Sequence, residues 1–254
     1  MSTQANDTQD DGETITAIVK PKNTLPANYE EQLAAEALAM AKRIGAPSGD
    51  LIRINKDKTF SLPDGATSPT LGVIVAGFVA VNQYYPGKFD PKEIKPPVCM
   101  ATGTEIIDMR PWPESPELQG KDGCHTCWAN QWGTDGKGKA CKNQRMLAVL
   151  GPKGQMDGPM MTLKVSPTGT RYWDNYVTQV MQLTGALIKV ITEISFDANA
   201  DYPSLRFKVL GPNDTWQDAF GRRGPAMERL MTKPDFTPAV VAPKPDEKGK
   251  AKPK

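Results

Sequence analysis

The run Leu71-Gly-Val-Ile-Val-Ala-Gly-Phe-Val-Ala-Val81 is the longest apolar stretch of the chain, at eleven residues. A transmembrane helix needs roughly 18 or more, so this run is too short to cross a bilayer. Val73–Val81 is rich in β-branched residues and reads as a buried strand. Upstream, Leu51–Ile54 and Thr59–Leu62 are short strand-like pieces separated by Lys56-Asp57-Lys58, and Pro63-Asp64-Gly65 marks a turn. Downstream, Arg145–Leu150, Met160–Val165, Leu187–Ser195 and Leu205–Leu210 continue the strand pattern. Two helices interrupt it. Tyr29–Ile44 places Leu33, Ala37, Met40, Ala41 and Ile44 on one face, with Gly45 as a stop signal. Tyr172–Leu183 lines up Trp173, Tyr176, Val177, Val180 and Met181, with Thr170 as N-cap. The order is helix, strands, a Cys-, Pro- and Gly-rich insert at about 86–143, strands, helix, strands. That order is α+β, mainly β, of small-barrel type, and excludes a doubly wound α/β fold.

The 254 residues are 39 % hydrophobic and 24 % charged, with a mean hydropathy of −0.47, as expected of a globular protein with polar ends. Residues 17–232 read as one domain. Residues 1–16 hold Asp7, Asp10, Asp11 and Glu13 with no base, an acidic arm too poor in apolar residues to fold alone. Residues 233–254 form a Lys- and Pro-rich tail, expected to be extended and disordered like the arm. The formal charge of +2, from 31 bases and 29 acids, argues at first against a nucleic-acid binder. Split by segment it does not, because Lys137, Lys139, Lys142, Arg145 and Lys153 lie in a stretch with no acid at all. The acidic, polar N-terminus carries no secretory signal, so a cytoplasmic location is expected.

All four cysteines fall between positions 99 and 141, spaced C-x24-C-x2-C-x13-C: Cys99, Cys124, Cys127 and Cys141. The central C-x2-C lets one tight turn present two thiolates to one ion, and the last spacing is close to that of a ribbon-like zinc site. In a reducing compartment grouped cysteines point to metal binding before disulfides. The expectation is structural Zn²⁺ on all four. Left open are a site in which His125, the only histidine, replaces one cysteine, free or redox thiols, and an iron–sulfur cluster. The chain holds no H-x-E deaminase motif, no H-E-x-x-H and no Walker A. A carboxylate nuclease built on Asp90, Glu105 and Asp108 remains as a rival.

Beside the cysteines, Trp128 and Trp132 stand in a Gly-rich stretch with Gly133, Gly136 and Gly138, against the basic run. Rings that stack on bases and cations that track phosphates are what single-stranded nucleic acid requires. Trp128, Trp132, Tyr84 and Tyr85 are the candidate stacking residues. Lys137, Lys139, Lys142 and Arg145 are the candidate phosphate contacts. The bland alternative is a mini-core of tryptophans under the cysteines, with ordinary solvated charge around it.

The block Pro96-Pro97-x-Cys99, Cys124-x-x-Cys127-x-x-Asn130-Gln131-Trp132-Gly133, Gly136-Lys137-Gly138-Lys139-Ala140-Cys141-Lys142-Asn143, then Arg145 and Leu147-Ala148-Val149-Leu150 resembles a block of tailed-bacteriophage proteins. These are single-stranded-DNA-binding proteins of OB-fold type with a four-cysteine zinc element. Looser likeness extends to Phe60–Gly65 and Asn82–Gly87, so that about residues 30–210 are covered. The resemblance implies an OB-like barrel and a replication or recombination accessory that binds single-stranded DNA with little sequence preference and is not a catalyst. Phage or host replication and recombination proteins would be its partners. One departure is plain: many such binders end in an acidic recruiting tail, whereas this chain ends in lysines. The rival reading is a zinc-braced phage factor that binds host transcription or replication proteins.

Overall fold

The computed structural model describes residue 32 and residues 50–87, 95–120, 122–151 and 159–236. Apart from Gln32 these belong to one compact unit, Ser48–Lys254. The helix expected at Tyr29–Ile44, the acidic arm, Asp90, Lys153 and the tail beyond residue 236 lie outside the described residues.

The described chain is mainly β. Nine strands, β1 (Leu51–Ile54), β2 (Phe60–Ser61), β3 (Thr67–Ser68), β4 (Leu71–Tyr84), β5 (Cys99–Gly103), β6 (Cys141–Leu150), β7 (Met161–Val165), β8 (Val190–Phe196) and β9 (Leu205–Pro212), form one sheet. Their order is β3-β2-β1-β7-β6-β4-β8-β9, with β5 on β4 beyond the end of β8. All pairings are antiparallel except β1 with β7. Three helices complete the unit among the described residues: α1 (Pro167–Thr184), α2 (Trp216–Gly221) and α3 (Arg223–Leu230).

The opening sequence run is the spine of this sheet. β4 pairs with β6 from Ile74–Leu150 to Tyr84–Cys141, while β8 and β5 share its other edge. A bulge between Val75 and Gly77 bends it. At Gly77 the strand passes close to α3: a Cβ there would stand 2.5 Å from Met227 Sδ, so that side chain would have to shift. Alternate residues of β4 feed two cores. Leu71, Val73 and Val75 join Trp173, Tyr176 and Val180 of α1, whereas Ile74, Ala76, Val79 and Val81 meet Ala219 of α2 and Ala226 and Leu230 of α3.

The sheet curls into a half-barrel around α1. Its two margins approach through side chains: the Phe60 and Phe196 rings stack at 4.4 Å, and Lys58 Nζ donates to the Asp197 and Ala198 carbonyls. Strands β3 and β9 end the order without pairing to each other. Fully buried Trp173 fills the concavity, edge-on to Phe78 and Phe207.

Several sequence expectations need adjustment. α1 begins at Pro167 with Ser166 at the cap position, and Thr170 sits inside the first turns with its hydroxyl on the Ser166 carbonyl. Met181, expected on the buried face, is 47 % exposed. Leu187–Lys189 is a 3-10 turn before β8. The stretch 86–143 is not a separable insert, since its ends supply β5 and the first residues of β6 to the main sheet. Among the described residues no helix is long and apolar enough to cross a membrane.

Candidate functional site

The face of β4 that carries Val75 and Phe78 in the α1 core continues through Ala80, Asn82 and Tyr84. Opposite them on β6 stand Arg145, Asn143 and Cys141, and on β5 stand Gly103, Ala101 and Cys99. Hydrocarbon thus gives way to amides and then to thiols along one surface. Cys99 and Cys141 open their strands on either side of Tyr84. Cys124 and Cys127 come from the loop above, and all four cysteines are free, buried and border one small cavity with Asn82, Gln119 and Asn130.

The loop is shaped to deliver those thiols. Gly120 takes φ 59°, and a Cβ there would stand 2.5 Å from Cys127 Cβ, so only glycine lets the chain pass. Cys124 N donates to the Met109 carbonyl, and Asn130 Nδ2 holds the Cys124 carbonyl at 2.8 Å. Gln131 Nε2 reaches the His125 and Cys127 carbonyls. His125 itself is exposed, outside the ring of residues that lines the cavity.

Two sulfurs also receive hydrogen bonds. Gln119 N donates to Cys99 Sγ at 3.5 Å. Asn143 Nδ2 donates to Asn82 Oδ1 at 2.6 Å, and the Asn82 amide in turn donates to Cys124. Such donors favour thiolate over thiol. Burial works against them: it pushes the Cys99 and Cys124 thiols up and, with the neighbouring sulfurs, takes Cys141 to about 12. Among the described residues no cation offsets this beyond a small contribution from Lys139 at Cys141. As they stand, the sulfurs border the cavity without converging. Among the described residues no group of three or more His, Cys, Asp or Glu side chains is disposed to hold a metal ion. The chemistry of the donor set nonetheless fits a soft divalent cation, which would neutralise the mutual repulsion of buried thiolates.

Above the cavity lie the tryptophans. Trp128 begins a 3-10 turn, Trp128–Asn130, and is half-exposed. Its Nε1 donates to Gln119 Oε1 at 2.9 Å, and the Tyr84 ring meets it edge-on at 5.6 Å. Tyr84 is part-buried and braces that ring. Trp132 is 77 % exposed, with Lys139 Nζ 5.6 Å from its ring centre. Lys139 also donates to Asn130 Oδ1. The turn at Asp135–Gly138 is tied by Thr134, whose hydroxyl donates to the Gln131 carbonyl and accepts from Ala140 N. Lys137 is exposed at its tip.

The remaining expected contacts are placed differently. Lys142 pairs with Asp135 at 2.6 Å, which holds that carboxyl below its ordinary range. Arg145 is buried, and its guanidinium grips both Asp174 oxygens on α1 at 3.1 and 2.8 Å. That arginine ties the helix to the sheet, and its charge is spent inside the protein. Tyr85 lies just past β4, with its hydroxyl on Gln83. Asn82, Asn143, Gln119 and Asn130 were not picked out as site residues from the sequence. Asparagine is depleted in strand interiors, so Asn82 and Asn143 in otherwise strand-like runs were the available signal.

Comparison with known proteins returns nothing: no family model, no curated protein and no solved structure matches this chain.

Proposed function

We propose that the protein binds single-stranded DNA, without strong sequence preference, across the Trp128–Trp132 turn and the Lys137–Lys139 tip, and that Zn²⁺ held by Cys99, Cys124, Cys127 and Cys141 sets the shape of that turn. The observation that carries this reading is Trp132: a ring 77 % exposed on a braced turn, with a lysine beside it and another exposed at the adjacent tip. An indole left open to water at that cost offers a stacking platform, and base–ring stacking contributes ~1–3 kcal/mol per base. Trp128 adds a second ring four residues away, fixed in orientation by Gln119 and Tyr84.

Lys137 and Lys139 supply phosphate contacts, and Lys142 joins them where a phosphate displaces Asp135. The zinc role follows from the four cavity-lining thiols. Bound as thiolates, they would hold the ion, which would supply the positive charge that offsets their mutual repulsion. The curled sheet behind the site serves in this reading as an OB-like platform. The resemblance of the cysteine block to that of phage single-strand binders supports a role in replication or recombination, as a binder rather than a catalyst.

Fluorescence anisotropy with labelled single- and double-stranded DNA and RNA, at two salt concentrations and with or without Mg²⁺, tests this. Tight, salt-sensitive binding of single strands with no cleavage is expected. No binding favours the protein-interaction reading, and Mg²⁺-dependent shortening of the probe favours a nuclease. Elemental analysis of the same sample is expected to give one zinc per chain.

A further inference from the structure

Two exposed apolar surfaces of opposite charge lie outside the cysteine site. The first is the tip of the connection after β5. Ile106 and Ile107 are 59 % and 63 % exposed there, flanked directly by exposed Glu105 and Asp108. The tip is pinched at its neck. Met109 is buried against Ala80 and Ala101, Asp108 N donates to the Glu105 carbonyl, and a Cβ at Gly103 would stand 2.9 Å from Met109 Cγ. Arg110 lies beyond that buried anchor. Two neighbouring aliphatic side chains on a braced tip cannot fold back into the core, and exposed apolar pairs of this kind mark contact sites.

The second surface is the outer side of α2. Trp216 and Phe220 stand one turn apart on it, 36 % and 55 % exposed. Lys189 Nζ lies 5.6 Å from the Trp216 ring centre, and exposed Arg223 follows Phe220 at the start of α3. Asp218, two residues after Trp216, points from a different side of the helix.

The two surfaces belong to opposite faces of the sheet. Met109 packs on Ala80, whereas Ala219, Ala226 and Leu230 pack on the face of Val79 and Val81. Successive strand residues alternate faces, so one molecule cannot lay its tip on its own α2. We infer that the two meet between copies of this chain: Ile106 and Ile107 of one copy seat on Trp216 and Phe220 of the next, with Glu105 and Asp108 facing Lys189 and Arg223. Apolar matches apolar and acid matches base. Because the two patches differ, the contact is head-to-tail and builds strings or rings of subunits. A tip of this size falls below the ~1,000 Å² of a stable interface, so assembly is weak, concentration-dependent and screened by salt. It goes beyond the DNA-binding reading and needs no nucleic acid.

Sedimentation velocity of the full-length protein without DNA, over a hundredfold range reaching hundreds of micromolar at low salt, tests this. The expected sedimentation coefficient rises with concentration past that of a dimer and falls back in high salt. The Ile106→Ser/Ile107→Ser double variant and Phe220→Ser are each expected to weaken association roughly tenfold or more. Glu105→Lys/Asp108→Lys abolishes it, and adding Lys189→Glu/Arg223→Glu to the same chain restores it. Thermal melts check that each variant is folded; all of the substituted side chains are exposed, and the serine variants carry the test if a charge variant does not fold. A wild-type monomer throughout, variants that associate as the wild type does, or assembly that stops at a closed dimer each overturns the proposal.

Discussion

The two ends of one sheet surface are held by different physics. At the α1 end, Val75, Phe78, Leu147 and Val149 surround Trp173, and the contacts are hydrocarbon. At the cysteine end the same surface presents Asn82, Asn143, Cys99 and Cys141, and the contacts are amides, carbonyls and sulfurs. Arg145 sits on the border and bonds Asp174 of the helix. The first end gains stability from area removed from water. The second buries polar groups, which stabilise only when each has a partner. Order at the second end therefore depends on a few directed bonds, and it can respond to a ligand in a way the first end cannot.

The largest break in this comparison is at the hydrocarbon end. Trp173→Ala is expected to cost about 3–5 kcal/mol and to lower the melting temperature of the whole unit, read by calorimetry. A smaller effect separates the ends by pH. Burial keeps the Cys141 thiol protonated in the folded, metal-free protein, up to about 12 against an ordinary 9.0. The unfolded chain gives up that proton earlier, so stability falls as pH rises from 9 towards 12, by on the order of a few kcal/mol. Cys141→Ser is expected to flatten that decline in alkaline melts. A residual slope belongs to Cys99, Cys124, Tyr85 and Tyr176, which burial also raises. With zinc bound the dependence reverses, because acid returns protons to the thiolates and releases the metal.

Trp132→Ala is expected to leave the melting temperature unchanged and to weaken single-strand binding about 5- to 150-fold, the equivalent of one stacked base, read by anisotropy. Equal loss of stability and affinity would place this ring in the core and erase the contrast between the ends. The smallest expected effect is at Lys137→Ala, which reduces the slope of log affinity against log salt by about 0.7, one phosphate contact. Arg145→Ala, by contrast, should act through stability, since its partner is Asp174.

The strands were legible in the sequence because β-branched runs and turn residues are local signals. β4, β6 and β7 appear close to where periodicity places them. β5 escaped because Cys99-Met-Ala-Thr-Gly103 is short and has no β-branched run. Helices α2 and α3 escaped because Gly221, Gly224 and Pro225 interrupt the pattern, and only packing of Ala219, Ala226 and Leu230 on the sheet fixes them. At the site, the cysteine spacing brought out the four residues that share a cavity. It could not show which bases are spent internally. Arg145 and Asp174 are 29 residues apart in sequence and meet only when α1 folds onto β6, so the acid-free run looked more available than it is.

The parallel pairing of β1 with β7 sets an order of events during synthesis. β1 emerges first, but Leu51 and Ile52 pair with Thr162 and Leu163, about a hundred residues later. Every cysteine lies in the intervening chain. A nascent protein therefore presents its complete set of thiols, once Cys141 is made, before the strand that closes this side of the sheet exists. Contacts of such long sequence separation form slowly. In the proposed zinc-bound form, metal capture by the loop would precede closure of the sheet, and the supply of zinc would then bear on the yield of folded protein as well as on the shape of the finished site.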